Sequence, residues 1–221
     1  MILLASKSSG RLATLRAAGV DPLVRVSSVD EEAMLGELIQ RRRDAGLTAP
    51  SAAEQVQALA RAKALDVMAS TDPQEAEVVV GCDSMLEISG QVVGKPADAA
   101  QARERWQMMS GGTGTLHTGH FLVRTADGAI AEGVSSATIH FGSPSPAEVE
   151  AYIATGEPLW CAGAFTIDGL GGAFIEGIDG DPHGVVGISL PLLRRLLADL
   201  EVLWTDLWAP PPVAKPTDDA H

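Results

Sequence analysis

The sequence predicts an α/β fold, a mixed and twisted sheet flanked by helices. Three observations carry that prediction. Short runs rich in β-branched residues alternate along the chain with segments of helical period. Two helical segments open on capping boxes, Ser51 with Glu54 and Ser145 with Glu148, the second with Pro146 at its first helical position. A turn at Ser89-Gly90 joins two extended stretches and places an antiparallel piece in the sheet.

The elements follow in order. Residues 2–5 read as a short buried strand and residues 6–10 as a small, polar loop. From Arg11 the period becomes helical, with Leu12, Leu15 and Ala18 on one face and Gly19 as a stop. A loop of this kind before a helix can present backbone N–H groups to an anion, although no Walker lysine pattern is present. Val29-Asp30-Glu31-Glu32 leads into a polar stretch whose Arg41, Arg42 and Arg43 read as solvated surface. The Ser51 box starts a helix that runs to about Met68 and carries Lys63. Residues 77–81 are a central-strand candidate, followed by Cys82-Asp83-Ser84, and extended chain resumes over residues 85–88 and 92–93. Asp98 with Gln101 caps a helix that turns Ala102, Trp106 and Met109 inward. Residues 120–124 and 135–141 are strands, and the helix from Ser145 ends near Gly156. The glycine-rich residues 162–187 suggest short strands with tight turns, before a last amphipathic helix around Leu192, Leu193, Leu196, Leu197 and Leu200. We expect one catalytic domain over residues 1–208, and a disordered Pro-rich tail over residues 209–221.

Composition limits the function. The chain has 221 residues, 46% of them hydrophobic, enough for a sizeable core without disulfides or a metal staple. No apolar run approaches the ~18–20 residues that cross a bilayer, and the N-terminus lacks the basic region of a signal peptide. Cys82 and Cys161 are too few for a disulfide framework and fit no zinc spacing. The expectation is a cytoplasmic protein with no membrane partner. A formal charge of −13 argues against a nucleic acid polymer as ligand. It also demands that local Lys and Arg, with a divalent cation, receive any polyanion that does bind.

Asp83 is the most informative residue. Directly after an apolar strand, its carboxylate belongs at a strand's carboxyl end, where open α/β sheets bind ligands. A carboxylate there can bind a metal or take a proton from water, and an aspartate that merely caps a turn fits the same pattern. Lys95, between Gly94 and Pro96, could neutralise phosphate charge or be an ordinary hairpin lysine, and Lys63 carries the same ambiguity. Glu31 is a candidate second metal ligand, with Asp30 and Glu32 beside it as a reminder that acidic clusters are common. His117, His120, His140, His183 and His221 form no ligand pattern, and Cys82 reads as a small packing residue.

Taken in order, several segments resemble the Maf family of nucleotide pyrophosphatases, also called septum-formation-inhibitor-like proteins. Residues 4–11 resemble the family's opening L-A-S-x-S-P-R-R loop, Val29-Asp30-Glu31 its V-D-E, and residues 60–64 the segment with its helical lysine. Gly81-Cys82-Asp83-Ser84 corresponds to G-A-D-T, Gly94-Lys95-Pro96 to G-K-P, and Ser110-Gly111 to the family's S-G. Gly156-Glu157-Pro158, Ala162-Gly163-Ala164-Phe165 and Ile178-Asp179-Gly180-Asp181 match the C-terminal half in order, so that the resemblance covers about residues 1–200.

The resemblance implies a two-lobed Maf/inosine-triphosphatase-like architecture around a cleft. It implies hydrolysis of nucleoside triphosphates to a monophosphate and pyrophosphate with a divalent metal cation, Mg²⁺ or Mn²⁺, as house-cleaning of noncanonical or modified nucleotides. Asp83 would be the general base, joined by Lys63 and Lys95. Glu31 and Asp83 would hold the metal, and Ser6, Ser8 and Arg11 would line the phosphates. Gly10, Ser84 and Asp168 stand at positions that discriminate bases in the family, and here they match neither of its known sets. Trp160-Cys161 replaces a charged pair, and Gly187-Ile188-Ser189 stands for the final G-L-P. Family members are often homodimers. The family's other name supplies the alternative reading, a nucleotide-binding regulator of septum formation with little turnover.

Overall fold

Strand β1 (Ile2–Leu4) is buried throughout, and its period of two sends Ile2 and Leu4 into one hydrophobic cluster and Leu3 into another. A strand buried on both faces belongs inside a sheet, and the computed structural model, which describes residues 1–208, places it there. The sheet adds β2 (Leu23–Val24), β3 (Val78–Ile88), β4 (Gln91–Val93), β5 (Thr113–Arg124), β6 (Ile130–Phe141) and β7 (Ile175–Asp179). Its order is β2-β1-β3-β5-β6-β7, with β4 paired to β3. β1 runs parallel to β2 and β3, whereas the pairings among β3, β4, β5, β6 and β7 are antiparallel. The helices are α1 (Ser9–Ala17), α2 (Glu31–Asp44), α3 (Ala52–Met68), α4 (Ala99–Met109), α5 (Pro146–Ala154), α6 (Pro182–Val186) and α7 (Leu190–Asp199). The mixed α/β sheet flanked by helices is the fold class the sequence predicts. None of the described helices is long and apolar enough to cross a membrane.

Three packed regions hold these elements. On one face of the sheet, Leu15 of α1 and Leu193, Leu196 and Leu197 of α7 meet Ile2, Leu4, Val78 and Val80. On the other face, Ala60, Ala64 and Val67 of α3 meet Leu3, Val79 and Phe121. Beyond them, at the far end of the long strands, α4 and α5 surround Trp106, whose ring meets Phe141, Tyr152 and Phe174 edge to face.

Both capping boxes form: Ser51 and Ser145 each accept from the N–H three residues on, and Glu54 and Glu148 reach back. The β3–β4 hairpin turns at Ser89 and Gly90, both with positive φ, as a two-residue primed turn requires.

Five expectations need correction. Helix α1 begins at Ser9, two residues before Arg11, because the Ser8 hydroxyl caps it by accepting from the Arg11 N–H. The polar stretch after Glu31 is a full helix, α2, that buries no residue; it carries no apolar stripe, and its signals are the Asp30 cap and the arginines of its last turn. Asp83 is not at a strand end: β3 runs unbroken from Val78 to Ile88, and Asp83 pairs with Gly119 in the middle of the β3–β5 ladder. What ends near it is the parallel partner β1, whose last register pair is Leu4 with Val80. Residues 162–187 are mostly tight turns and short helices rather than short strands; only β7 pairs, with β6. The two strands expected over 120–124 and 135–141 extend back to Thr113 and Ile130. Residues 209–221 lie outside the described residues.

Two glycines let α3 lie directly on the sheet. A Cβ at Gly81 would stand 2.1 Å from the Ala60 carbonyl oxygen, and one at Gly119 would stand 2.4 Å from that of Val56. Gly81→Ala is therefore expected to destabilise the protein by at least about 1–3 kcal/mol by overpacking. Urea unfolding measures this, and an unchanged midpoint would mean that α3 can lift away freely.

His120 is sealed in the core; burial drives its pKa down to about 4, with Nε2 accepting from the Ser189 N–H at 2.9 Å. A folded pKa below the unfolded value of ~6.5 gives stability that is full above pH ~6.5 and is lost as pH falls toward about 4. Wild type should lose up to roughly 3 kcal/mol across that window through this residue. His120→Gln should flatten the pH dependence of the urea midpoint between pH 7 and 4.

Candidate active site

The residue period of β3 divides the site between two faces. Val79, Gly81 and Asp83 point toward α3, whereas Val80, Cys82 and Ser84 point toward α1 and α6. On α3 the buried residues Val56, Leu59, Ala60, Lys63, Ala64 and Val67 form one stripe, so Lys63 is carried inward by the helix's own apolar face. Its ammonium meets Asp83 Oδ1 at 2.5 Å and Glu31 Oε1 at 2.7 Å. Lys63 and Asp83 are both nearly buried, whereas Glu31, in the first turn of α2, is exposed.

The two carboxylates on this shared cation shift in opposite directions. Burial pushes the Asp83 carboxyl above the usual range, against the pull of Lys63 and Arg11. Glu31 is also opposed by burial, but the Lys63 hydrogen bond and the charges of Lys63, Lys95 and Lys7 hold it below that range. Oδ2 of Asp83 has no hydrogen-bond partner among the described residues.

On the other face Arg11 pins three segments together. Its Nε donates to the Gly187 carbonyl at 2.7 Å, Nη1 to the Ser6 hydroxyl at 2.9 Å and Nη2 to the Ser84 hydroxyl at 3.1 Å. Thr118 gives its only proton to the Gly184 carbonyl at 2.7 Å, so Ser84 is the donor in the 2.9 Å Ser84–Thr118 pair. Cys82 is inert packing, with burial raising its thiol to about 12.

These groups open onto one cleft of about 1310 Å³. All ten residues singled out from the sequence line it: Ser6, Ser8, Gly10, Arg11, Glu31, Lys63, Asp83, Ser84, Lys95 and Asp168. Lys95 is exposed there, and its side chain forms no ion pair or hydrogen bond among the described residues. Among the described residues no group of three or more His, Cys, Asp or Glu is arranged to hold a metal. Glu31 and Asp83 do reach one common cation position, the ammonium of Lys63.

Several residues that shape the cleft were not singled out from sequence. Lys7 lines it within electrostatic reach of Glu31. Glu157 accepts from the Tyr152 and Thr166 hydroxyls, at 2.9 and 2.6 Å, and from the Leu170 and Gly171 N–H groups, at 3.1 and 3.0 Å. Partial burial opposes ionisation of Glu157, but these four donors hold its carboxyl below the usual range and fix the loop that carries Asp168. Arg105, buried on α4, donates to the carbonyls of Gly94 and Lys95 and to Gln101 Oε1, and so clamps the Lys95 turn. The signal for Arg105 was present: it shares the helical stripe of Ala102, Trp106 and Met109.

The Maf-like protein family matches residues 1–200, and the chain belongs to this family. It is 52% identical over 213 residues to a protein of Rhodococcus opacus (strain B4), covering 94% of this chain and 95% of that one. It is 50% identical over 209 residues to one of Streptomyces coelicolor (strain ATCC BAA-471 / A3(2) / M145), covering 95% of each, and 49% identical over 212 residues to one of Mycobacterium sp. (strain JLS), covering 94% and 97%. Each of the three relatives is named nucleoside triphosphate pyrophosphatase.

Arg105→Ala should free the Gly94 and Lys95 carbonyls, at a cost of about 2–3 kcal/mol for lost charge-assisted hydrogen bonds. Hydrogen exchange should then quicken at Gly163, whose N–H bonds to the Gly94 carbonyl at 3.0 Å. Unchanged exchange there would show that the turn holds itself.

Proposed function

We propose that the protein is a nucleoside triphosphate pyrophosphatase that hydrolyses a (d)NTP to (d)NMP and pyrophosphate, with Asp83 as general base. The observation that carries this reading is the convergence of Glu31 and Asp83 on Lys63 within a cleft that Lys7 and Lys95 also line. The relatives' names point the same way.

A general base needs an acceptor oxygen that is free and more basic than an ordinary carboxylate. Asp83 offers Oδ2, and burial raises its basicity. The attacking water gives a proton to Asp83 as its oxygen bonds to phosphorus. The anhydride bridge between the α and β phosphates breaks, and pyrophosphate leaves with the bridge oxygen's electron pair or the monophosphate does, according to which phosphorus is attacked. Lys63 and Lys95 neutralise charge on the phosphoryl oxygens. Ser6, Ser8 and the N-terminus of α1 line the phosphates. Arg11 joins them with the two of its five N–H groups that Gly187, Ser6 and Ser84 leave unengaged.

Glu31 and Asp83 would hold Mg²⁺ or Mn²⁺, which suits a hard cation that takes one or two carboxylates and completes its shell with phosphate and water. Bound there, the cation supplies charge neutralisation to the phosphates and acidity to water. Gly10, Ser84 and Asp168 set the base preference, and the cellular role is cytoplasmic house-cleaning of noncanonical or modified nucleotides.

A panel of nucleoside triphosphates with Mg²⁺ or Mn²⁺ tests the reading. Pyrophosphate and monophosphate release should vanish with EDTA, and Asp83→Asn should lower kcat about 10²–10⁴-fold while nucleotide still binds. Full turnover in Asp83→Asn would rule out the general-base assignment. Wild type that binds nucleotides without cleaving any would fit the regulator of septum formation instead.

A further inference from the structure

The sequence holds only four lysines, against twelve arginines. Three of the four, Lys7, Lys63 and Lys95, line one cleft, and the fourth, Lys215, lies outside the described residues. Arginine serves at every other basic position of the described chain, so lysine is concentrated where a compact, rotatable point charge can meet phosphate. Lys63 and Lys95 have places in the reaction described above. Lys7 has none, and the L-A-S-x-S pattern of the opening loop leaves its position open. The loop fixes this residue at its base. Ala5 before it donates to the Val80 carbonyl at 2.8 Å, and the Ser6 hydroxyl accepts from the Ser8 N–H at 3.2 Å and from Arg11 Nη1 at 2.9 Å. Ser6 is buried and Ser8 half-buried, whereas Lys7 between them is exposed and its side chain makes no hydrogen bond or ion pair among the described residues. The charges of Lys63, Lys95 and Lys7 all act on Glu31, which Lys63 touches at 2.7 Å. The cations that act most on Asp83 are Lys63 and Arg11 instead. Lys7 and Lys95 therefore stand on the Glu31 side of the site, away from the general base.

We propose that Lys7 is a ligand for the terminal phosphates of the substrate, the pair that departs as pyrophosphate, and that it grips them together with Lys95. The assignment deepens the pyrophosphatase reading above and rests on it. Asp83 and Lys63 stand at the phosphorus under attack. The remaining phosphates extend to where positive charge has no partner, and Lys7 and Lys95 are the two lysines of the cleft in that state. They come from separate walls, the loop before α1 and the turn before α4, so a diphosphate unit between them is held from two sides. Both are anchored through the backbone and loose at the ammonium, Lys7 by the Ser6 bonds and Lys95 by Arg105. A contact to the tail, remote from the reacting atoms, strengthens substrate and transition state alike. Lys7 should therefore act on KM and leave kcat nearly alone.

Two measurements on the full chain test the assignment, each with Lys7→Gln and Lys7→Arg. The control is Arg195→Gln, which removes an exposed cation of α7 outside the cleft. First, calorimetric titration with inorganic pyrophosphate and Mg²⁺ reads the tail alone. Lys7→Gln should weaken pyrophosphate binding about tenfold, as expected for one charge-assisted hydrogen bond. Lys7→Arg should keep most of the affinity, and Arg195→Gln should change nothing. Second, steady-state kinetics on the triphosphate cleaved best should show a similar rise in KM for Lys7→Gln, with kcat within about twofold of wild type. Unchanged pyrophosphate affinity in Lys7→Gln, or a wild type that binds no pyrophosphate, would overturn the assignment. An equal loss in Arg195→Gln would overturn it too, by revealing a general field and no contact. A fall in kcat at constant KM would place Lys7 at the reacting phosphorus and also overturn it. Cleavage of no triphosphate, with pyrophosphate binding that depends on Lys7, would defeat the pyrophosphatase reading and leave the phosphate ligand standing.

Discussion

The approach of α3 to the sheet governs the rest of the molecule. At Gly81 and Gly119 the helix backbone stands where side chains would be, so its buried stripe rests on β3 and β5 with no spacer. Lys63 lies on that stripe between Ala60 and Ala64, and Asp83 lies two residues beyond Gly81 on the same face of β3. The buried ion pair is thus a product of backbone packing, not of two flexible side chains finding each other. A pair held this way gives up little further conformational entropy when it forms, which makes its geometry reproducible.

Charge is arranged against the global background. The chain carries −13, yet the cleft gathers Lys7, Lys63, Lys95 and Arg11. They are not equivalent. Lys63 is buried between two carboxylates, Arg11 uses three of its donors to join the opening loop to Ser84 and Gly187, and Lys95 is free at the end of a turn that Arg105 fixes. Burial and bonding hold the first two in place, while the third keeps freedom to follow a ligand. A ligand carrying several negative charges therefore meets two fixed cations, with Lys95 and the exposed Lys7 beside them.

Much of this arrangement was legible in the chain, and the failures share a cause. Capping boxes, the Ser89-Gly90 turn and the apolar runs are local signals, and they placed most helices and the central strands. Asp83 was legible as a carboxylate directly after an apolar run, but its position in the middle of the strand was not. Whether β3 stops at Asp83 depends on β5, whose Gly119 pairs with it across a ladder that no local signal announces. Helix α2 was missed because its pattern carries no apolar stripe, and packing on α3 came from charged residues such as Arg42, which meets Glu54 at 2.7 Å. Residues 162–187 were misjudged because glycine signals turns without saying what the turns connect. Arg105 was the avoidable case, since it sits on an otherwise apolar helical stripe. The cleft itself could be assembled from sequence only through the ordered family segments, because its residues come from many separate elements.

Arg11 also bears on how the protein is made. Its Nε–H meets a carbonyl 176 residues further along the chain. A ribosome delivers Arg11 early and Gly187 late, and β1 must wait for β3 before it has a second neighbour. Val80 and Ser84 can hold the opening segment once β3 is made, but the Gly187 anchor of the Arg11 guanidinium comes only near the end of synthesis. The contact closes a very long loop, so a product truncated before the final helices would lack the Gly187 carbonyl that holds the Arg11 guanidinium in the cleft.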